Sequence, residues 1–336
     1  LMQIGIQPHV LICRSEHPLS DEIRRKIALF TNVEIDGVIE ARDVETIYEV
    51  PLSLKKQRLD DVIAERLGLD LPQPDMTSWT AMVNRVKHPS AGTAKIAVVG
   101  KYTDHIDSYK SIQESLIHGG IANDVKADIH WLSSEVFDNG EGVEKLKEYD
   151  GLLIPGGFGP RGVEGMLETI RWARENQMPF FGICLGLQCA VIEFARNVCG
   201  LEGSHSSEFA EASPDPVICL LDSQLQVTTM GGTMRLGAYP CALGEGTKAR
   251  EIYGVDEISE RHRHRFEVNN EYRDLLTDNG MTISGTSPDG GLVEMIELTE
   301  HPWFVAGQFH PELKSRPTRP HPLFASFVGA AAAYAR

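Results

Sequence analysis

The sequence predicts an α/β protein, a mostly parallel central sheet flanked by helices and preceded by a partial α/β segment. Three observations carry that expectation. Between residues 95 and 200, short apolar runs alternate with stretches of helical periodicity. Several of those runs end on glycines, as in "AKIAVVGKY" and "YDGLLIPGGFG". At residues 180–186, "FFGICLG" puts a cysteine between two glycines where an apolar run meets a helical one.

The elements follow in order. In residues 1–52, "IGIQPHVLICRS" offers a strand and "LSDEIRRKIALF" a helix with Ser20 as its cap. "GVIEARDVETIYEVP" reads as a β-rich segment. Because the strand opens the chain with nothing before it, 1–52 is expected to be the C-terminal remnant of a larger domain. Residues 53–94 are charged and helical, then broken by prolines and serine, and read as a linker with helices. Residues 95–336 form the second domain. Its first strand, "AKIAVVG", leads to the helix "DSYKSIQESLIHGG", with Tyr109, Ile112 and Leu116 on one face and Gly119 as its stop. The strand "KADIHWLSS" and the strand-plus-loop "YDGLLIPGGFG" follow. A helix then runs through Val163, Met166, Leu167, Ile170 and Ala173 and halts before Pro179. After "FFGI", the helix "LGLQCAVIEFARNV" turns Leu187, Val191, Phe194 and Val198 inward. From about 215 to 310 the pattern changes to short strands and loops, and "FVGAAAAYAR" closes the chain as a helix.

Composition bounds the function. Hydrophobic residues make up 42% and charged residues 24%, as in a folded globular protein. No window approaches the roughly 18 apolar residues of a membrane span. The opening residues lack the basic region and cleavage site of a signal peptide. A net charge of −16 argues against a broad nucleic-acid surface, though not against a local nucleotide pocket. Six cysteines lie scattered at 13, 184, 189, 199, 219 and 241 without a CxxC pair. That pattern is neither a disulfide framework nor a zinc site, so no metal is expected here, and a reduced, cytoplasmic setting fits best.

Cys184 stands apart from the other five. Gly182-Ile183-Cys184-Leu185-Gly186 has the G-x-nucleophile-x-G form of a nucleophile elbow with cysteine in place of serine. The turn sets the thiol at the amino end of a helix, where the macrodipole favours the thiolate. The Leu185 amide has no helical acceptor and can meet an oxyanion. Taken alone, a buried apolar cysteine before a glycine-started helix is the blander reading. A base changes the balance. "WFVAGQFHPEL" runs as a strand into His310-Pro311-Glu312. Pro311 pushes His310 toward an extended conformation, in which residues two apart face the same way. Glu312 would then hold the His310 ring and stabilise its imidazolium. In "LLIPGGFG", Gly156 and Gly157 let a backbone amide approach a ligand, giving a second oxyanion donor. The phosphate-loop pattern G-x-x-x-x-G-K-[ST] is absent from the chain.

The combination of PGGFG, GICLGLQ and FHPE resembles the class I glutamine amidotransferases. "GKYTDHIDSYKS", "IPGGFGPRGVEGM", "GGTMRLGAYPC", "ERHRHRFEVNN" and "FHPELKSRPTRPHPLF" extend the resemblance to the CTP synthase family over nearly the whole chain. The resemblance implies that Cys184 attacks the glutamine carboxamide, with His310 and Glu312 completing the triad. It implies that Gly157, Leu185 and Gln188 line the glutamine site, and that Glu208 and Arg265 hold the α-amino and α-carboxylate ends. It assigns Lys26 to the UTP/CTP site, and Arg235, Arg161 and Lys110 to the response to GTP.

The implied ligands are L-glutamine, UTP, ATP with Mg2+, GTP as activator and CTP as inhibitor, with no covalent cofactor. The implied assembly is a homotetramer built through the synthetase part. The family's ATP phosphate loop precedes the first residue here, so this chain is expected to supply the glutaminase half. The stretch "VICLLDSQLQVTTMGGTMRLG" is shorter than the lid associated with bacterial members. Three rivals remain. A stand-alone γ-glutamyl hydrolase or cysteine peptidase would not need residues 1–52. "RHRHRFEVNN" argues against a GMP synthase, and an intact Cys184, His310 and Glu312 argue against a non-catalytic assembly module.

Overall fold

A computed structural model describes residues 2–103, 106–220 and 234–336, with the backbone alone for Met2 and Ile106. The chain divides into two compact units, one ending at Pro89 and the other beginning at Ser90.

The first unit is built on a parallel pair, β1 (Leu11–Ser15) and β2 (Val38–Arg42), joined by α1 (Asp21–Thr31). Ser20 caps α1 as expected, its Oγ accepting the Ile23 amide at 3.3 Å. Asn32 ends it in the left-handed region at φ 52°. The expectation of a β-rich segment through residue 51 fails after Arg42. Ile47–Glu49 is a 3₁₀ turn leading into α2 (Val50–Lys56). Thr46 Oγ1 accepts the Tyr48 amide at 3.5 Å, and Pro51 occupies the first turn, where its missing N–H costs nothing. The helices α3 (Leu59–Leu67) and α4 (Thr77–Lys87) belong to this same unit. Trp79 Nε1 donates to the Tyr48 carbonyl at 2.7 Å, and Lys87 Nζ pairs with Glu49 at 2.7 Å.

The second unit is organised by one sheet. Its parallel part comprises β3 (Thr93–Gly100), β4 (Lys126–Ser133), β5 (Gly151–Ile154), β6 (Phe180–Ile183) and β14 (Phe304–Gly307). Its antiparallel part comprises β9 (Arg235–Leu243), β10 (Glu257–His264), β12 (Met281–Thr286) and β13 (Val293–Leu298). Among the described residues the order is β10-β9-β12-β13-β14-β6-β5-β3-β4. The short strands expected between 215 and 310 thus mostly extend the sheet in antiparallel sense. A separate small sheet holds β7 (Ser204–Ser206), β8 (Asp215–Cys219) and β11 (Glu267–Val268).

Both faces of the central parallel strands are covered, which is why β5, β6 and β14 are near-continuous apolar runs. In β3, Ala97 and Val99 join the core under α6 (Val163–Glu175) and α7 (Leu185–Asn197). Ile96 and Val98 face the other way, toward α5 (Lys110–Asn123) and the terminal α10 (Pro322–Tyr334). The short helices α8 (Lys248–Tyr253) and α9 (Arg273–Asp278) connect antiparallel strands. Gly119 does not stop α5, which continues to Asn123. It is glycine for packing: a Cβ there would lie 2.6 Å from the Phe324 carbonyl oxygen of α10. No helix among the described residues is long and apolar enough to cross a membrane.

Candidate active site

Three neighbouring parallel strands, β5, β6 and β14, end at one rim of the sheet, where α/β proteins place ligands. Ile154 pairs with Gly182, and Ile183 with Gly307. The next residues of each strand are therefore delivered side by side: Gly156-Gly157, Cys184, and Gln308 to His310.

Cys184 occupies the turn from β6 to α7 with φ 53° and ψ −100°, a conformation that strains a residue bearing a Cβ. The flanking glycines make the turn feasible. A Cβ on Gly182 would lie 2.8 Å from the Gly186 carbonyl carbon, and one on Gly186 would collide with the Ile154 carbonyl oxygen. The Cys184 amide donates to the Gly307 carbonyl at 2.8 Å, tying the elbow to β14. Its thiol lines a cavity, whereas Cys189 and Cys241 are sealed in the core, where burial pushes each thiol up to about 12.

His310 Nδ1 lies 2.7 Å from Glu312 Oε1, the contact expected from the sequence. The backbone route differs from the expected one. Pro311–Leu313 is a 3₁₀ turn rather than an extended segment, with Pro311 as its first residue. The turn curls Glu312 back under the ring. Gly156 lies between ring and elbow: a Cβ on it would be 2.9 Å from His310 Cε1 and 3.6 Å from Cys184 Cβ. His310 Nε2 is buried and makes no hydrogen bond among the described residues. Burial works against the imidazolium. Interaction with Cys184 in front and Glu312 behind outweighs it and pushes the imidazole up to about 11.

Two cavities meet at Cys184. The smaller, about 120 Å³, is lined by Gly157, Cys184, Gln188, Glu208, Arg265 and Phe266, among others. Four of the five residues assigned to glutamine therefore share one pocket. The fifth, Leu185, contributes the first amide of α7, and its side chain would touch a Cβ on Gly157 at 3.1 Å. Glu208 Oε1 accepts the Gly159 amide at 3.0 Å, which fixes the glycine loop. The larger cavity, about 450 Å³, runs past Tyr102, Gly156, Arg263, His310 and Glu312.

The residues assigned to nucleotides lie on separate elements. Lys26 lies on α1 of the first unit, exposed and paired with Glu22 at 2.7 Å. Lys110 pairs with Glu114 at 2.9 Å on α5. Arg161 bonds Glu135 at 2.5 Å and the Lys101 carbonyl at 2.7 Å. Arg235 is mostly buried, 2.8 Å from Glu294 and 3.2 Å from Glu267. Of the short lid stretch, residues 221–233 lie outside the described residues.

Around Arg235 lies a polar core that the sequence reading missed. In β10 the buried face carries Glu260, His262 and His264, while Arg261 and Arg263 are exposed. His264 Nδ1 donates to the Phe266 carbonyl at 3.2 Å, leaving Nε2 to accept from His262 Nδ1 at 2.8 Å. Burial lowers His262 to about 3, with the Arg235 charge adding to it, and holds His264 well below the ordinary range. Burial also raises Glu267 to about 8 against the pull of Arg235. The period-2 alternation of "ERHRHRFE" was the signal for this face. Gln308 was missed as well. It is fully buried and its Nε2 donates to Cys184 Sγ at 3.7 Å.

The model of the family "Glutamine amidotransferase class-I" matches residues 104–330, and that of "CTP synthase N-terminus" matches residues 1–69. The CTP synthase of Clostridium perfringens strain 13 is 55% identical over 331 residues, which span 98% of this chain and 62% of that protein. The CTP synthase of Methanocaldococcus jannaschii is 54% identical over 336 residues, with the same two coverages. The chain thus spans about three fifths of the length of these curated relatives. The solved glutaminase domain of Trypanosoma brucei CTPS, with bound acivicin, is 38% identical. It superposes with a TM-score of 0.68 over 71% of this chain and 94% of that one.

Proposed function

From the premise that the chain belongs to the class I glutamine amidotransferases, within the CTP synthase family, we propose that it hydrolyses L-glutamine at Cys184 and supplies the ammonia that converts UTP to CTP. One observation carries the glutaminase reading: Cys184 on a strained elbow stands beside a half-buried His310 backed by Glu312, in the wall of a pocket.

In this reading, Cys184 Sγ adds to the carboxamide carbon of glutamine. The Leu185 and Gly157 amides receive the charge that develops on the carbonyl oxygen. The C–N bond breaks, the imidazolium of His310 gives its proton to the departing nitrogen, and ammonia and a γ-glutamyl thioester result. Neutral His310 then takes a proton from water, which attacks the thioester. The C–S bond breaks, its electron pair returns to sulfur, and glutamate leaves. Glu312 holds the ring by Nδ1 throughout. Glu208 and Arg265, of opposite sign in the same pocket, suit the ammonium and carboxylate of the free amino acid. The larger cavity gives ammonia a way off on the His310 side.

The second half belongs to the full length of the relatives. In this reading, ATP held with Mg2+ in that part would activate the uracil O4 by phosphorylation, and the ammonia would displace the phosphate. The described residues contain no group of three His, Cys, Asp or Glu side chains fit to hold a metal ion, and no step here runs through one. Lys26 is assigned to the UTP/CTP site, with CTP as inhibitor. Arg235, Arg161 and Lys110 are assigned to the response to GTP. A homotetramer in the cytoplasm, serving pyrimidine biosynthesis, completes the reading.

The experiment is a glutaminase assay on the unaltered chain and on Cys184→Ala. Loss of at least about 10⁴-fold in turnover is expected. Equal glutamate release by both would overturn the reading.

A further inference from the structure

We propose that Gln308 is a dedicated hydrogen-bond donor to the Cys184 nucleophile, holding the sulfur as thiolate before attack and receiving it as leaving group when the thioester is hydrolysed. The proposal rests on the reading of Cys184 as nucleophile and adds a fourth side chain to its machinery.

The backbone puts Gln308 there for a simple reason. Beyond β14, side chains alternate, so Gln308 and His310 face the elbow while Phe309 enters the core. The Gln308 amide nitrogen donates to the Glu294 carbonyl at 2.8 Å, which continues the pairing with β13 and fixes the residue. Its side chain is fully buried, so a carboxamide here must find partners for both ends. Oε1 accepts from Gln188 Nε2 at 3.3 Å. Nε2 donates to Cys184 Sγ at 3.7 Å.

The sense of these bonds is locked. Gln188 Nε2 also donates to the Phe266 carbonyl at 3.0 Å, and that oxygen accepts a second hydrogen bond from His264 Nδ1 at 3.2 Å. Flipping Gln188 would set its own oxygen against that carbonyl. With Gln188 fixed, flipping Gln308 would oppose two NH2 groups and aim an oxygen at the sulfur. The buried network therefore presents an N–H to Sγ.

An amide donor suits this position for a chemical reason. His310 surrenders its proton to ammonia and for part of the cycle is not an acid. The Gln308 N–H does not ionise, so it opposes the negative charge on sulfur whatever the state of His310. Hydrogen bonds to charged groups are roughly twice as strong as neutral ones.

The test uses the full chain with Gln308→Met, which keeps the length and removes the donor, and Gln308→Glu, which keeps the shape and, once ionised, supplies only an acceptor. Alkylation of Cys184 by iodoacetamide is followed against pH. The half-maximal pH is expected to rise by about one unit in Gln308→Met and further in Gln308→Glu. In Gln308→Met, kcat for glutamine should fall about tenfold while KM stays within about twofold. Gln308→Glu carries the test if Gln308→Met does not fold. Alkylation profiles that coincide with the unaltered chain, whatever the melting temperatures, overturn the proposal. Absence of Cys184-dependent glutaminase in the unaltered chain would instead overturn the functional reading and leave the alkylation result standing on its own.

Discussion

Two histidine sites lie near one another in the second unit, one half-buried and one buried, and their surroundings push them in opposite senses. His310 is pushed up to about 11, whereas His262 is lowered to about 3. Burial acts the same way on both, against the charged ring. The difference lies in the neighbours. His310 is flanked by the Cys184 sulfur and the Glu312 carboxylate, the latter 2.7 Å from Nδ1. His262 has Glu294 3.8 Å away, but Arg235 holds that carboxylate at 2.8 Å and adds its own positive charge. A buried histidine thus becomes an acid or an inert hydrogen-bond link according to whether its anion is already claimed. The first site can move a proton in catalysis, and the second can only position its neighbours.

The comparison can be broken from either side. The largest effect is expected from Glu312→Gln, which removes the carboxylate behind His310. The turnover number for glutamine should drop roughly 10³-fold with little change in KM. Steady-state kinetics reads this directly, and a fall of less than tenfold would mean that Cys184 alone sets the state of His310.

On the other side, Arg235→Met strips the cation from Glu267 and Glu294. A loss of about 3 kcal/mol in unfolding free energy is expected in denaturant titrations. Glu267 is raised from 4.5 to about 8, so the folded state holds its proton more tightly than the unfolded chain. Its contribution therefore lowers stability as pH rises through that window in both proteins alike; Arg235→Met raises Glu267 further, so its deficit should widen only above about pH 8. A deficit that stays flat above about pH 8 would show that Arg235 does not hold Glu267 down.

These two sites were unequally legible in the sequence. Cys184 was readable because G-x-C-x-G encodes its own turn, and each glycine answers a contact within a few residues of the elbow or on the adjoining strands. His310 and Glu312 were readable because they are two residues apart. The geometric reason offered for them did not hold, since a 3₁₀ turn at Pro311 makes the contact. Alternation operates one step earlier and selects Gln308, which the reading passed over. The Arg235 core was not legible. Its members come from β9, β10, β11 and β13, strands of two separate sheets that only the tertiary fold brings together. The helices of the parallel part followed their apolar periodicity. Gly119, inside α5, and the helical turn after Thr46 departed from local expectation because packing against α10 and capping decided them.

A smaller effect sharpens the neutral side of the comparison. His262 has a folded value depressed from 6.5 to about 3, so its contribution is present above about 6.5 and is lost as pH falls toward 3. His262→Gln keeps a donor toward His264 and cannot ionise. Its stability should decline less steeply across that acid window, by up to about 1.4 kcal/mol per pH unit. Parallel acid limbs for both proteins would assign the loss to other groups.

The central claim is that His310 stands as an imidazolium opposite the Cys184 thiolate before any substrate arrives. NMR titration of the His310 ring in the unaltered chain and in Cys184→Ala tests it most directly. The account predicts a ring that stays protonated past pH 8 in the unaltered chain and loses its proton at markedly lower pH once the sulfur is removed. A ring that titrates near 6.5 in both proteins would contradict it.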